Sequence, residues 1–277
     1  MEAFQGELPT MALWIGALVA AGLFAGLLAG LLGVGGGIVI VPVLYNILAA
    51  VGVEQDLRMK VAVATSLATI IVTSFVSARS HHKKGAIDLD LLRQWSVPIV
   101  IGVVIGTAVA GYVNGRVLTL VFAVVALLVA ANMLLRKEGA GLFDGFPNAT
   151  VRSGAALAVG TLSTMMGIGG GTLSVPILTT FGFDIRRAVA TSATIGLIIA
   201  IPGTVGYMVT GYDVAHLPPY SIGYVNVAGA LVLLPMTIAM APVGARLAHS
   251  IPRYALRLVF AFFLAATSAK MFFDLFG

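Results

Sequence analysis

The sequence predicts an all-α membrane protein of two inverted repeats, each with about three full transmembrane helices plus a glycine-broken or re-entrant helical hairpin. Three observations predict it. Of the 277 residues 59% are hydrophobic and 10% charged, where a soluble domain has about a quarter of its residues charged. Charge-free windows long enough to cross a bilayer recur, beginning with Leu8 to Val53. The segment LLGVGGGIVIVPVL at Leu31 to Leu44 returns, reworded, as MMGIGGGTLSVPIL at Met165 to Leu178.

The elements follow in order. The first half has apolar segments at Thr10 to Leu32, Ile38 to Val51, Val61 to Ala78, Trp95 to Val113 and Val117 to Leu135; the second has Ser153 to Ile168, Thr172 to Phe183, Ala188 to Thr210, Ile222 to Ala241 and Tyr254 to Phe273. The N-terminus carries Glu2 and Glu7 and no basic residue before the first apolar run. It lacks the positive n-region of a cleaved signal peptide, so that run is read as retained. Each glycine disfavours a helix by roughly 0.8 to 1 kcal/mol relative to alanine, and a helix entering a triple glycine is expected to break there. The segment after the second triple glycine, Thr172 to Phe183, rises only ~18 Å at ~1.5 Å per residue, against a hydrocarbon core of about 30 Å. It is expected to enter and return, with Pro42 and Pro176 in an early helical turn or a kink.

The halves correspond segment by segment. An offset of 134 aligns Gly26, Gly37 and Pro42 with Gly160, Gly171 and Pro176, and an offset of 126 aligns Ala62-Val63-Ala64-Thr65-Ser66 with Ala188-Val189-Ala190-Thr191-Ser192 and Lys60 with Arg186. This divides one integral membrane domain into repeats at residues 1–138 and 139–277. Loop charge sets their relative orientation. The loop after the third segment holds Arg79, His81, His82, Lys83, Lys84 and Arg93, the centre holds Arg136, Lys137 and Arg152, and the penultimate loop holds Arg246, Arg253 and Arg257. These are predicted to be cytoplasmic, whereas Gly211 to Tyr220 and the acidic N-terminus face outward. Arg186 and Arg187 place their connector inside while its first-half counterpart falls outside, so the repeats are inverted and both termini lie outside. Four crossings per half would instead give a parallel repeat, which hydropathy alone leaves open.

The interior chemistry is restricted. No Asp, Glu, Lys or Arg stands in the middle of an apolar segment and no cysteine is present, which removes intramembrane carboxylates and thiolate metal sites. Neutral groups remain, and they suit a small anion, because helix N-termini present unsatisfied amides and a partial positive charge. The candidate binding residues are therefore Gly35, Gly36, Gly37, Thr65 and Ser66, with Gly169, Gly170, Gly171, Thr191 and Ser192; Ser174 adds a donor. Lys60, Arg186 and Arg187 are placed to attract an anion at the entrance. The plainer readings are that Gly22, Gly26 and Gly30 form a packing face, that Thr-Ser pairs bond their own helix, and that His81-His82 lies in a solvated loop. No HExxH, no GxSxG and no cluster of carboxylates or histidines is present, so an enzyme, a metal site and a cofactor are not expected. The basic residues lie between spans as topology signals, so nucleic acid is not an expected partner.

The doubled GxGGG with a proline four or five residues on, Gly33-Val34-Gly35-Gly36-Gly37 with Pro42 and Gly167-Ile168-Gly169-Gly170-Gly171 with Pro176, together with the ATS tracts, resembles the TauE/SafE family of sulfite and organosulfur anion exporters. The resemblance covers nearly the whole chain. It implies a multi-pass permease of the cell inner membrane that moves sulfite, a sulfonate or a related anion, with a proton or ion as an optional coupled partner. The expected mechanism is a secondary transporter working by alternating access around the two glycine breaks. A passive anion channel or a structural subunit of a membrane complex is the alternative, and a homo-oligomer is left open.

Overall fold

A computed structural model of the chain describes residues 16, 18–27, 36–135, 143–250 and 252–276. Helix α1 is Leu18–Leu27. It is followed by α2 Gly37–Ala50, α3 Gln55–Lys83, α4 Leu89–Tyr112, α5 Gly115–Leu135, α6 Ala149–Met166, α7 Gly171–Thr180, α8 Ile185–Thr210, α9 Val227–Ser250 and α10 Arg253–Phe276. Two short strands, β1 Ser221–Ile222 and β2 Val225–Asn226, pair antiparallel between α8 and α9. Among the described residues, six helices are long and apolar enough to cross a membrane: α3, α4, α5, α8, and the stretches Val227–Gly244 of α9 and Leu258–Phe276 of α10. Three fall in each half. Helices α2 and α7 have 14 and 10 residues and rise only ~21 and ~15 Å, short of a crossing.

Two expectations from the sequence are corrected in detail. Arg79, His81, His82 and Lys83 belong to the end of α3 and Arg93 to α4, not to a loop; the negative end of the α3 dipole favours basic side chains in its last turn. The segment expected from Ile222 starts as a helix only at Val227, because β1 and β2 occupy the residues before it. The run expected from Thr10 to Leu32 lies largely outside the described residues.

Side-chain caps set several helix starts. The Asp88 carboxylate accepts from Leu91 N at 3.0 Å at the start of α4, and the Asn148 side chain accepts from Val151 N at 2.8 Å at the start of α6. Asp184 accepts from Arg186 N and Arg187 N at 2.9 and 3.2 Å at the start of α8. Helix α6 ends on Gly167 in the left-handed region, φ 65°, a conformation that favours glycine.

Helices α3 and α8 form the centre and run antiparallel: Gly203 faces Leu67 while Gly196 faces Ser74. Helix α8 runs parallel to α4, with Gly206 on Thr107 and Gly111 on Thr210. The first segment of each half packs on the fourth of the other. Gly102 and Gly160 let α4 and α6 touch backbone to backbone, at the Leu157 and Ile99 carbonyls, and a Cβ on Gly26 of α1 would stand 2.6 Å from Thr237 O of α9. Gly26 and Gly160 are the pair that the repeat aligns, and they do the same work. Helix α5 packs on α10, where Ser268 Oγ donates to Ala123 O at 2.8 Å. Small residues allow this approach, which matters where lipid supplies no hydrophobic drive for helix association.

Gly160→Leu should destabilise the α4–α6 contact by about 1–3 kcal/mol through overpacking. Gly154→Leu, on the same helix with nothing within 4 Å of its Cβ position, should leave the melting midpoint of the detergent-solubilised protein unchanged. Equal midpoints for the two variants would mean that this contact does not hold the pair.

Candidate functional site

The second glycine motif breaks the chain between α6 and α7 and leaves residues 167–170 out of regular helix. The first delivers α2, which starts at Gly37 after Gly36 in the left-handed region, φ 76°; Gly35 lies outside the described residues. The two motifs meet. A Cβ on Gly37 would stand 2.6 Å from Gly167 O and 2.8 Å from Ile168 Cα, and Ser66 Oγ of α3 donates to the same Gly167 carbonyl at 2.7 Å. Non-helical backbone at membrane depth needs protein partners of this kind.

Thr65 and Thr191 hold a second, reciprocal pair of contacts. The Asn226 amide donates to Thr65 Oγ1 at 3.0 Å, and the Asp88 amide donates to Thr191 Oγ1 at 2.9 Å. Asn226 and Asp88 also cap α9 and α4, through Gly229 N at 2.7 Å and Leu91 N at 3.0 Å. Each threonine of one half thus fastens the start of the fourth segment of the other half. Both are buried, and neither lines the cavity described next.

That cavity, about 40 Å³ in volume, lies beside the start of α7. Gly169, Gly170 and Gly171 form one wall, and Ser74 and Ser77 of α3 and Ser192 of α8 line the rest, the Ser192 hydroxyl donating to Val189 O of its own helix at 3.0 Å. The first backbone bond of α7 runs from Ser174 N to Gly170 O at 2.9 Å, so the amides before it mark the positive end of the helix. Thr172 and Ser174 in its first turn are buried with hydroxyls that have no partner among the described residues. Gly196 makes room for the cavity. Its counterpart at the offset of 126 is Ile70, whose Cδ1 lies 2.7 Å from the Cβ position of Gly37 and fills the equivalent space against the first motif.

Of the candidate residues, the structure therefore gathers Gly169, Gly170, Gly171 and Ser192 into one cavity. It sets Gly36 and Gly37 across Ile70 from them and commits Thr65, Ser66 and Thr191 to interhelical bonds. Ser74 and Ser77 were not foreseen. They lie one helical turn apart on α3, and their counterparts at the offset of 126 are Ala200 and Gly203, so the internal repeat does not flag them. Their signal is hydroxyls at i and i+3 near the end of an apolar helix.

Beyond Val189, which borders the cavity, lies an open depression of about 470 Å³ that is lined by His81, Lys84 and Arg186. Arg187 is instead paired with Asp88 at 3.3 Å. Lys60 is buried and donates to Gly111 O at 3.3 Å and Tyr224 Oη at 3.4 Å. No group of three His, Cys, Asp or Glu among the described residues is placed to hold a metal. The site offers hydroxyls, amides and a basic approach, a set suited to holding an anion.

The sulfite exporter TauE/SafE family model matches residues 18–271. The chain belongs to the TauE/SafE sulfite exporter family. A probable membrane transporter protein of Haemophilus influenzae is 33% identical over 95% of this chain and 97% of its own length. The probable membrane transporter protein YunE of Bacillus subtilis is 30% identical over 70% of this chain and 78% of its own, and one from Methanocaldococcus jannaschii is 26% identical over 92% and 94%. No solved structure matches. With six apolar spans and relatives of this kind, this TauE/SafE member is a multi-pass membrane protein.

Thr191→Val keeps the shape and removes the acceptor for Asp88 N, and should lower stability by about 1–3 kcal/mol by leaving a buried amide unpaired. Thr191→Ser should retain most of it. Unfolding midpoints of the purified variants check this, and an unchanged Thr191→Val midpoint would show that the bond contributes nothing.

Proposed function

We propose that the chain is a secondary transporter that moves a small sulfur-containing anion, sulfite or a small sulfonate, across the cell inner membrane by alternating access. The observation that carries this reading is the hydroxyl- and amide-lined cavity at the start of α7, separated by Val189 from a basic depression. An anion gathered by Lys84 and Arg186, beside a His81 that burial and Lys84 keep neutral, passes Val189 and exchanges water for the Gly169–Gly171 amides and the Ser74, Ser77 and Ser192 hydroxyls. Helix α7 contributes its positive end, so no fixed charge is needed inside.

Inversion of the repeats at 1–138 and 139–277 is supported by the antiparallel run of α3 and α8, which the sequence repeat aligns, and by the reciprocal contacts of Thr65 and Thr191. Placed with the basic end in the cytoplasm, the α1–α2 pair enters from outside and the α6–α7 pair from inside, and their glycines meet between. Rocking of one repeat on the other then exposes the site to each face in turn. The state described opens toward the basic end. A cavity of about 40 Å³ has room for roughly three waters, which favours a bare oxyanion over one with a long carbon tail.

Sulfite counterflow in proteoliposomes tests this reading. Saturable exchange is the expected result, and unsaturable flux would favour a channel instead. Combining Ser77→Ala with Ser192→Ala should raise KM for sulfite about ten-fold or more, because charge-assisted hydrogen bonds contribute roughly 1.5–3 kcal/mol each. An unaltered KM in this folded double variant would move the site out of the cavity.

A further inference from the structure

Lys60 carries a charge that the site just described does not use. It is 7% exposed, none of the ion pairs among the described residues includes it, and its ammonium touches only neutral groups. Those groups are the Gly111 carbonyl near the end of α4 and the hydroxyl of Tyr224, whose ring centroid lies 5.2 Å from Nζ. Asp56, one turn earlier on α3, is exposed to solvent. A buried ammonium with no anion in contact is costly, and the field of the Asp56 carboxylate with two hydrogen bonds of 3.3 and 3.4 Å compensates it only in part.

The position of Lys60 gives that charge a meaning. The repeat pairs it with Arg186, which lines the open basic depression. Because α3 and α8 run antiparallel and each residue stands in the first turns of its helix, the two cations lie at opposite ends of the central pair. At the Arg186 end the approach is open. At the Lys60 end, Tyr224 and the β1–β2 hairpin cover the ammonium, and Tyr224 in turn packs edge-on against the fully buried Tyr207 of α8, with ring centroids 6.3 Å apart. Gly211 and Gly223 let this hairpin sit directly on the end of α8, against Tyr224 and Met208. The contacts of Lys60 therefore tie α3 and α4 of one half to the α8–α9 connection of the other.

We propose that Lys60 is the anion-binding group at the face opposite Arg186, closed in this state by Gly111 and Tyr224, and that its release from them opens that face to a small oxyanion. This rests on the alternating-access reading above and deepens it. The incoming anion supplies a counter-charge in contact with the ammonium, which the closed state lacks, so binding at that face and opening of that face are one event. Arg186 does the same at its own end, where it is already exposed.

The chain has no cysteine, so single cysteines report each face in oriented proteoliposomes. Thr204, buried one turn deeper in α8 than Tyr207, reports the Lys60 face, and Ser77 reports the other. Tyr224→Phe and Lys60→Met should each speed labelling of Thr204→Cys by an impermeant thiol reagent added at the Lys60 face and slow labelling of Ser77→Cys from the opposite face, because the two faces open in turn; faster labelling at both faces would mark unfolding and overturn the gate. For sulfite added at the Lys60 face, Lys60→Met should raise KM about ten- to a hundred-fold, with KM from the Arg186 face unaffected and Lys60→Arg close to wild type. An equal change at both faces, no change at either, or unaltered Thr204→Cys labelling would overturn the proposal while leaving sulfite transport intact. If the wild-type protein moves no sulfite, the transport reading fails, and the Thr204→Cys labelling rates by themselves still uphold or overturn a gate at Lys60.

Discussion

Backbone amides and carbonyls released from a helix inside hydrocarbon must find protein partners, and the rest of this structure depends on how that constraint is met. A single broken helix would leave Gly167 and its neighbours exposed to lipid at several kcal/mol per group. Here the break after α6 lies against the start of α2, and Ser66 closes on the Gly167 carbonyl. Each glycine motif is thus part of the other's environment. Glycine is required on both sides, because a Cβ at Gly37 would collide with the backbone of Gly167 and Ile168, and one at Gly167 with the backbone of Val63 on α3.

The same reciprocity recurs at every level of packing. Thr65 and Thr191 each receive an amide from the opposite half, α1 and α6 each lie on the fourth segment of the opposite half, and α3 meets α8 as α5 meets α10. Helix α6 also meets α8 of its own half, where Tyr207 Oη donates to Thr164 O at 3.4 Å. The correspondence fails at two places: Ile70 fills one pocket while Gly196 empties the other, and Lys60 is covered while Arg186 is open.

The sequence spoke clearly wherever a short-range rule governs. The apolar segments followed from runs of apolar residues and the break before α7 from triple glycine, whereas the number of crossings and the caps at Asp88 and Asp184 came only with the structure. The extent of α3 was less legible, because its polar last turn reads as loop until the helix dipole is considered. Part of the candidate cavity was legible: Gly169, Gly170, Gly171 and Ser192 sit in repeated motifs. Ser74 and Ser77 were not, since nothing repeats them.

What the sequence by itself determined is therefore local and periodic: a helical membrane chain, its spans, its doubled motif, and its membership of the family through residues that sit close together in the chain. Tertiary structure alone decided which hydroxyls are available. Thr65 and Ser192 look alike in an apolar helix, yet one accepts the Asn226 amide and the other faces a cavity, because hydrogen-bond satisfaction depends on which segment of the opposite half arrives there. It also decided that Lys60 and Arg186, equivalent along the chain, are unequal in space, since burial is set by the hairpin that covers one and leaves the other bare.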